Sequence, residues 1–86
     1  EELYQGFWVQ DCAAAAENML TEAVHLNLGA VWLGIHPKER IIKHVNSILE
    51  LPEKVKALSI IALGYPAEEK EASDRYIEDK VHFDKW

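Results

Sequence analysis

The chain has 86 residues, of which 49% are hydrophobic, and a formal net charge of −6 at pH 7. This length allows one domain at most, and the acidic balance argues against nucleic-acid binding, which needs clustered lysine and arginine. With one cysteine, no apolar stretch of membrane-spanning length and no positively charged first residues, the sequence favours a soluble cytoplasmic chain without a membrane partner.

The first ten residues mix aromatic and polar side chains without a regular period, which predicts an arm, residues 1–10, that packs on another part of the protein. Asp11 is the predicted N-cap of a helix that Gly29 ends. Cys12, beside a run of alanines, is expected to be a small core residue rather than a nucleophile. Apolar residues recur every three or four positions and predict a helix buried on two sides: Cys12, Ala16, Met19, Leu20, Ala23, Val24 and Leu26.

The next segment predicts a strand and a second helix. Residues 30–35 are rich in β-branched and aromatic side chains and form a run too short for a helix. Pro37 suits the first position of the helix that follows, and Glu39 its first turn. The predicted buried stripe of this helix is Ile41, Ile42, Val45, Ile48 and Leu49, and its basic solvated side is Lys38, Arg40, Lys43 and His44.

A second strand is predicted after Pro52 interrupts the helix. The apolar run of residues 57–63 lacks polar alternation, which predicts burial on both faces. By the crossover rule, the order of strand, helix and strand favours a parallel pair. We therefore expect residues 11–66 to form a helix-strand-helix-strand core.

The composition changes at residue 67, and residues 67–86 are predicted to be an extended, highly charged tail. Its last residues alternate apolar and polar side chains, with Val81, Phe83 and Trp86 as the apolar members. This alternation predicts a short terminal strand that docks elsewhere, and such a strand is well suited to crossing onto a second subunit.

Five segments in this order resemble the C-terminal half of the nitroreductase family of flavin mononucleotide (FMN) enzymes: DCAAAAENML, LNLGAVWLG, LPEKV, IIALGYPAEE and DRYIEDKVHFDKW. The resemblance runs from Trp8 to Trp86. It implies an α+β fold in which helices cover a largely antiparallel sheet, and an intertwined homodimer with two flavin sites at the interface. Where it conflicts with the parallel pair we follow the resemblance, because two strands do not define a sheet.

The resemblance also implies residues that contact the flavin ring. The backbone of Trp32, Leu33 and Gly34 corresponds to the segment that lies against the isoalloxazine ring in the family. Gly34 suits this role because a residue without a side chain lets a planar ring approach and presents its N–H. The alternative is that Gly34 merely ends a strand.

Arg75 is the best match to the family's basic residue at the flavin phosphate, and Lys80 is the second choice. A guanidinium can hold a phosphate through two hydrogen bonds. The alternative is a solvated charge that balances Asp74 and Glu78.

The implied activity is oxidoreduction, in which FMN takes hydride from NAD(P)H and passes it to a nitroaromatic, a quinone or a similar acceptor. No protein residue is expected to act as a catalytic acid or base. The family's N-terminal phosphate-binding segment of the Arg-Arg-Ser type has no counterpart here, so we expect the chain to hold half of each cofactor site, to need the missing segment and to be inactive alone.

Other classes of function stay open at this point. The four histidines lack the spacing of metal ligands, and no metal site is expected. A truncated interaction or dimerisation module that no longer binds flavin alone would explain the apolar composition and the docking tail. A relative specialised for dehalogenation or flavin fragmentation would differ mostly in the missing half.

Overall fold

The computed structural model describes residues 6–86, and residues 1–5 lie outside the described part. The elements follow in the order α1 (Phe7–His25), β1 (Gly29–Gly34), α2 (Glu39–Ile48) and β2 (Ser59–Gly64), with a short 3₁₀ turn at Glu78–Lys80. Within the described residues no helix combines the length and the apolarity that a membrane span requires.

Helix α1 begins earlier than the sequence predicted. Gly6 occupies the N-cap position with a φ of 92°, a conformation that glycine adopts at little cost. The N–H of Val9 then donates to the Gly6 carbonyl at 3.1 Å and closes the first turn. The prediction of Asp11 as the N-cap was therefore wrong, and residues 7–10 are the first helical turn instead of the end of an arm. The remainder of the predicted arm falls in residues 1–5.

One narrow stripe of α1 is buried by the described residues. Ala16 and Ala23 lie two turns apart and are 2% and 4% exposed. Their methyl side chains let the sheet approach the helix closely. Met19 and Val24 are exposed, and Cys12 is also exposed, so its prediction as a core residue was wrong. Within residues 6–86 the helix is covered on one side, not on two.

Helix α1 ends in a Schellman motif. Asn27 has a left-handed φ of 58°, its N–H donates to the Val24 carbonyl at 3.0 Å, and the N–H of Leu28 donates to the Ala23 carbonyl at 2.8 Å. Asparagine tolerates this conformation better than most side chains do. Gly29, which was predicted to end the helix, is instead the first residue of β1.

Strands β1 and β2 pair antiparallel, with Gly29 opposite Gly64 and Gly34 opposite Ser59. The parallel pair was therefore wrong, and the antiparallel sheet implied by the family resemblance is confirmed. The crossover rule applies when the connecting helix packs back onto the sheet. Helix α2 contacts neither strand. It packs beyond the end of the sheet, in a small core formed by Ile35, Ile42 and Val45 with Ile41 and Ala57 against it.

The two faces of the sheet differ in their environment. Trp32 and Ile61 are cross-strand partners and share the face toward α1, where Ile61 and Ala23 line a cavity of about 300 Å³. On the opposite face, Leu33 and its partner Ile60 are 47% and 42% exposed. The expectation that β2 is buried on both faces is not met by residues 6–86, which cover one face of the sheet.

Helix α2 begins at Glu39, with Lys38 as its N-cap. Pro37 lies ahead of the helix and follows His36 through a cis peptide bond, so the prediction of Pro37 as the first helical residue was wrong. Glu39 falls in the first turn as predicted, where its negative charge interacts favourably with the helix dipole.

The buried stripe of α2 is shorter than predicted. Ile42 and Val45 are buried, whereas Ile48 and Leu49 are 66% and 59% exposed. Glu50 has a left-handed φ of 53° and turns the chain out of the helix directly after these two residues.

The side chain of Asn46 forms hydrogen bonds that connect α2 to the segment leading into β2. Its side-chain Nδ2 donates to the Val55 carbonyl at 3.0 Å, and the N–H of Ala57 donates to its Oδ1 at 3.4 Å. The carbonyl of Val55 and the N–H of Ala57 lie in a loop, where no helix or sheet supplies hydrogen-bond partners for backbone groups. The sequence pattern did not single out this residue.

The tail from residue 67 onward is exposed along its whole length, and its docking on another part of the protein stays a prediction. Residues 81–86 form no strand in the described chain, which turns locally there, and the docking of this segment as a strand on a second subunit stays a prediction. Asp84 has a φ of 63°, and the rings of His82 and Trp86 pack with centroids 4.4 Å apart.

The radius of gyration of the Cα atoms is 17.0 Å. This value is larger than the radius of about 12 Å expected for a compact chain of this length.

Candidate functional site

A β-bulge follows directly after strand β1. The N–H groups of Ile35 and His36 both donate to the carbonyl of Leu58, at 3.1 and 2.9 Å. Two residues that face one on the partner strand define a bulge, which bends the strand and changes the direction of the following side chain. The chain therefore changes direction immediately after Gly34.

The same register determines which backbone groups of β1 face outward. In an antiparallel pair, hydrogen-bonded and non-hydrogen-bonded positions alternate. Because the Ile35 N–H bonds to Leu58 across the pair, the neighbouring pair of Gly34 and Ser59 is a non-hydrogen-bonded one, and so is the pair of Trp32 and Ile61. The N–H and C=O groups of Trp32 and Gly34 consequently point away from β2, toward an edge where residues 6–86 supply no further strand.

Gly34 leaves open space at this edge. A methyl group placed on its Cα would meet no atom within 4 Å, whereas one on Gly29 would touch the Pro66 side chain at 3.5 Å. The packing of the described chain therefore does not require a glycine at position 34. Space next to an outward N–H is what a planar ring would need in order to reach the backbone.

The other two predicted ring-contact residues point to opposite faces of the sheet. Trp32 is half-buried on the side of α1, and Leu33 is exposed on the open side. Side chains alternate along a strand, so these residues offer a continuous surface to a ligand through their backbone and not through their side chains.

His36 is placed by the bulge against the first turn of α1. Its ring meets the ring of Trp8 edge to face, with centroids 5.1 Å apart and planes at 74°. The Nδ1 atom of His36 is buried and has no hydrogen-bond partner among residues 6–86. Sequence reasoning considered His36 only as a metal ligand and missed this position, and no pattern in the sequence pairs it with Trp8.

Arg75 lies in the exposed tail and is not brought to β1. Its Nε donates to the Ser73 hydroxyl at 3.3 Å, and within the described chain neither Arg75 nor Lys80 forms a hydrogen bond or an ion pair with the strand. Arg75 also forms no ion pair with Asp74 or Glu78. Its guanidinium is therefore available to another group.

No three of the described His, Cys, Asp and Glu residues come together in a way that could hold a metal ion. The polar groups at the end of β1 are backbone amides and one imidazole. Such donors suit an organic ring with several heteroatoms.

Comparison with known proteins is consistent with this geometry. The nitroreductase family model matches residues 5–65. The chain belongs to the nitroreductase family. A relative from Archaeoglobus fulgidus, which carries the provisional name NADH dehydrogenase/NAD(P)H nitroreductase, is 46% identical over 82 residues, and the match covers 92% of this chain and 47% of that protein.

Solved structures of nitroreductase-fold proteins superpose closely on the chain. A provisionally named NADH oxidase from Clostridium acetobutylicum has a TM-score of 0.92 at 40% identity, over 99% of this chain and 52% of that one. An FMN-dependent nitroreductase from Clostridium difficile has a TM-score of 0.85 at 29% identity, over 93% and 50%. The α+β nitroreductase fold is thereby confirmed, and the chain spans about half the length of the curated relatives it matches.

Proposed function

We propose that this chain is the C-terminal half of an FMN-dependent NAD(P)H oxidoreductase. The observation that carries the proposal is the outward N–H of Gly34 beside open space at the edge of β1. Family membership supports the general class, and the names of the relatives support flavin and NAD(P)H.

We assign the ring contact to the backbone of Trp32, Leu33 and Gly34. The segment fits a flavin ring because the amide groups of Trp32 and Gly34 face an open edge and the glycine adds no bulk there. We assign the flavin phosphate to Arg75, with Lys80 as the alternative, because the Arg75 guanidinium is exposed and is not engaged in an ion pair.

FMN, when bound, supplies the redox chemistry by accepting hydride from NAD(P)H and delivering it to a nitroaromatic, a quinone or a similar acceptor. The residues of this chain bind and orient the ring. An N–H that is held rigidly by a sheet stabilises negative charge that develops on a nearby ring heteroatom, without reorganisation during the reaction. No side chain of this half is required as a general acid or base.

We further propose that the enzyme is a homodimer with flavin at the subunit interface. The described residues leave one sheet face and much of α1 exposed, including Leu33, Ile60 and Val24. Apolar surface of this extent is typical of a chain that is completed by other polypeptide. The missing N-terminal segment and a second subunit are the proposed sources.

The test is made on the full-length protein. The purified protein should show the visible absorption of bound flavin at close to one FMN per chain, and anaerobic addition of NADH or NADPH should bleach it. A full-length protein that stays colourless after incubation with FMN would instead support the interaction module without a cofactor.

A further inference from the structure

We propose that the basic side of α2, formed by Arg40, Lys43 and His44, binds the 2′-phosphate of NADPH and makes the enzyme prefer NADPH to NADH. The inference rests on the proposed function and deepens it, because it specifies which nicotinamide nucleotide the enzyme uses. Three observations support it: the cavity that these side chains line, their lack of counter-charges and the position of α2 beside the end of β1.

The three side chains share one face of α2, opposite to the core. Residues three and four positions apart are neighbours on a helix surface, and Lys43 and His44 follow Arg40 at these two spacings. All three are exposed, whereas Ile42 and Val45 on the other side of the helix are buried. An open cavity of about 660 Å³ lies against the basic side and is lined by Arg40, Lys43, His44 and Ile41. The three polar groups can therefore contact one ligand together.

The charges of the basic side have no counter-charge in the described chain. Within residues 6–86 the side chains of Arg40, Lys43 and His44 form no hydrogen bond or ion pair, and Glu39 does not pair with Lys43 four residues later. Residues 40–44 include no acidic residue, although the chain has a net charge of −6. An anion bound here would gain charge-assisted hydrogen bonds without displacing an existing partner.

A phosphate monoester fits these donors better than a pyrophosphate does. A monoester carries a charge of about −1.5 to −2 at pH 7, which the guanidinium of Arg40 and the ammonium of Lys43 balance. Pyrophosphates are typically bound by backbone amides of a glycine-rich loop at a helix N-terminus, and the basic side of α2 has neither feature. An arginine is also the residue that dinucleotide sites use for the 2′-phosphate, the group that distinguishes NADPH from NADH.

The core holds α2 close to the proposed ring contact. Ile42 and Val45 pack with Ile35, which directly follows Gly34. A helix with its side chains is about 10–12 Å across, so the basic side lies on the order of one helix diameter from the end of β1. In NADPH the 2′-phosphate is separated from the nicotinamide by two riboses and a pyrophosphate. One extended NADPH molecule can therefore place its nicotinamide near Gly34 and its 2′-phosphate at α2.

The experiment compares NADPH with NADH on the full-length, FMN-loaded protein. Arg40→Gln and Lys43→Gln each remove one charge and keep a good helix former. Lys54→Gln, at an exposed lysine outside the basic side, is the matched control. Anaerobic reduction of the flavin at increasing nucleotide concentration gives a dissociation constant for each nucleotide.

The wild-type protein should bind NADPH about tenfold or more tightly than NADH. Arg40→Gln and Lys43→Gln should each weaken NADPH binding about tenfold, the effect of one charge-assisted hydrogen bond, and should leave NADH binding within about twofold of the wild type. Lys54→Gln should change neither constant.

Adenosine 2′,5′-bisphosphate provides a measurement that does not depend on flavin reduction. Titrated into the full-length protein, it should shift the backbone amide signals of residues 39–48. It should also bind about tenfold more tightly than adenosine 5′-monophosphate, which lacks the 2′-phosphate.

Equal affinity of the wild-type protein for NADPH and NADH, or unchanged NADPH affinity in both α2 variants, would overturn the proposal and leave the proposed function intact. Loss of FMN instead of NADPH affinity in these variants would also overturn it, because the basic side would then hold the flavin phosphate. A full-length protein whose flavin neither nucleotide reduces would contradict the proposed function itself, and the titration with the bisphosphate would still decide whether α2 binds a 2′-phosphate.

Discussion

The edge-to-face contact of Trp8 and His36 joins the first turn of α1 to the bulge that follows β1. The two residues are far apart in sequence, and their ring centroids lie 5.1 Å apart with an interplanar angle of 74°. Through this pair the helix that lies along one face of the sheet supports the chain where it turns away from Gly34.

Replacing Trp8 should show the contribution of this pair. In the full-length protein Trp8→Leu should lower the free energy of unfolding by about 1 kcal/mol more than Trp8→Phe, because phenylalanine retains an aromatic ring for the imidazole and leucine does not. Urea unfolding measures the difference. Equal losses in the two variants would mean that general apolar packing, and not the aromatic pair, is what Trp8 contributes.

Gly34 and Gly64 form a matched pair for testing the ring contact. Neither glycine has an atom within 4 Å of an added Cβ, and they lie at opposite ends of the sheet. Both alanine variants should therefore keep the free energy of unfolding within about 0.5 kcal/mol of the wild type. Gly34→Ala should raise the FMN dissociation constant about tenfold by blocking close approach of the ring, whereas Gly64→Ala should not.

Fluorescence titration with FMN measures both constants. If the two alanine variants bind FMN equally well, the backbone at Gly34 is not the ring contact. If both lose stability instead, the missing half of the protein packs against these glycines.

Arg75 should act on the phosphate group alone. Arg75→Ala should weaken FMN binding about tenfold or more, because a charge-assisted pair is lost, and should leave the binding of riboflavin, which has no phosphate, unchanged. Lys80→Ala serves as the comparison. Loss of FMN affinity in Lys80→Ala but not in Arg75→Ala would transfer the phosphate assignment to Lys80.

Asn46 should stabilise the fold without affecting flavin. Asn46→Ala leaves the carbonyl of Val55 and the N–H of Ala57 without their partner, and should lower the free energy of unfolding by about 1–2 kcal/mol. Asn46→Asp keeps an acceptor for Ala57 and should lose less. Ser47→Ala, on the exposed side of the same helix turn, is the control, and a loss as large as that of Asn46→Ala would remove the assigned role.

The 86-residue chain by itself should not remain a monomer. Its exposed apolar residues, among them Leu33, Ile60 and Leu63, should drive self-association or binding to the remaining part of the protein. Size-exclusion chromatography with light scattering measures the mass in solution. A monodisperse monomer at low concentration would contradict this expectation.

Local sequence signals located the regular elements but not all of their ends. The alanine run and the β-branched segments indicated α1, β1 and β2, and Glu39 was placed correctly in the first turn of α2. The observed ends of α1 differ from the predicted ones because each end depends on one residue with a positive φ, Gly6 at 92° and Asn27 at 58°. On sequence pattern alone, other residues nearby could have occupied these two positions equally well.

The candidate site was predictable in part. The family resemblance named Trp32, Leu33, Gly34 and Arg75, and these assignments stay predictions. The resemblance did not point to His36, because its position depends on a bulge that appears only when Ile35 and His36 share the carbonyl of Leu58.

The sequence by itself determined the family and the α+β class, through the resemblance carried by an ordered set of motifs, and it determined the short elements through residue types and periodicity. Residue patterns favoured the wrong strand direction, which the family resemblance implied correctly, and only the tertiary structure showed the contact between Trp8 and His36. Strand direction depended on α2 packing beyond the end of the sheet and not across it, and the ring contact depended on where the bulge turned the chain. Both are long-range outcomes of packing, which local patterns in a sequence do not encode.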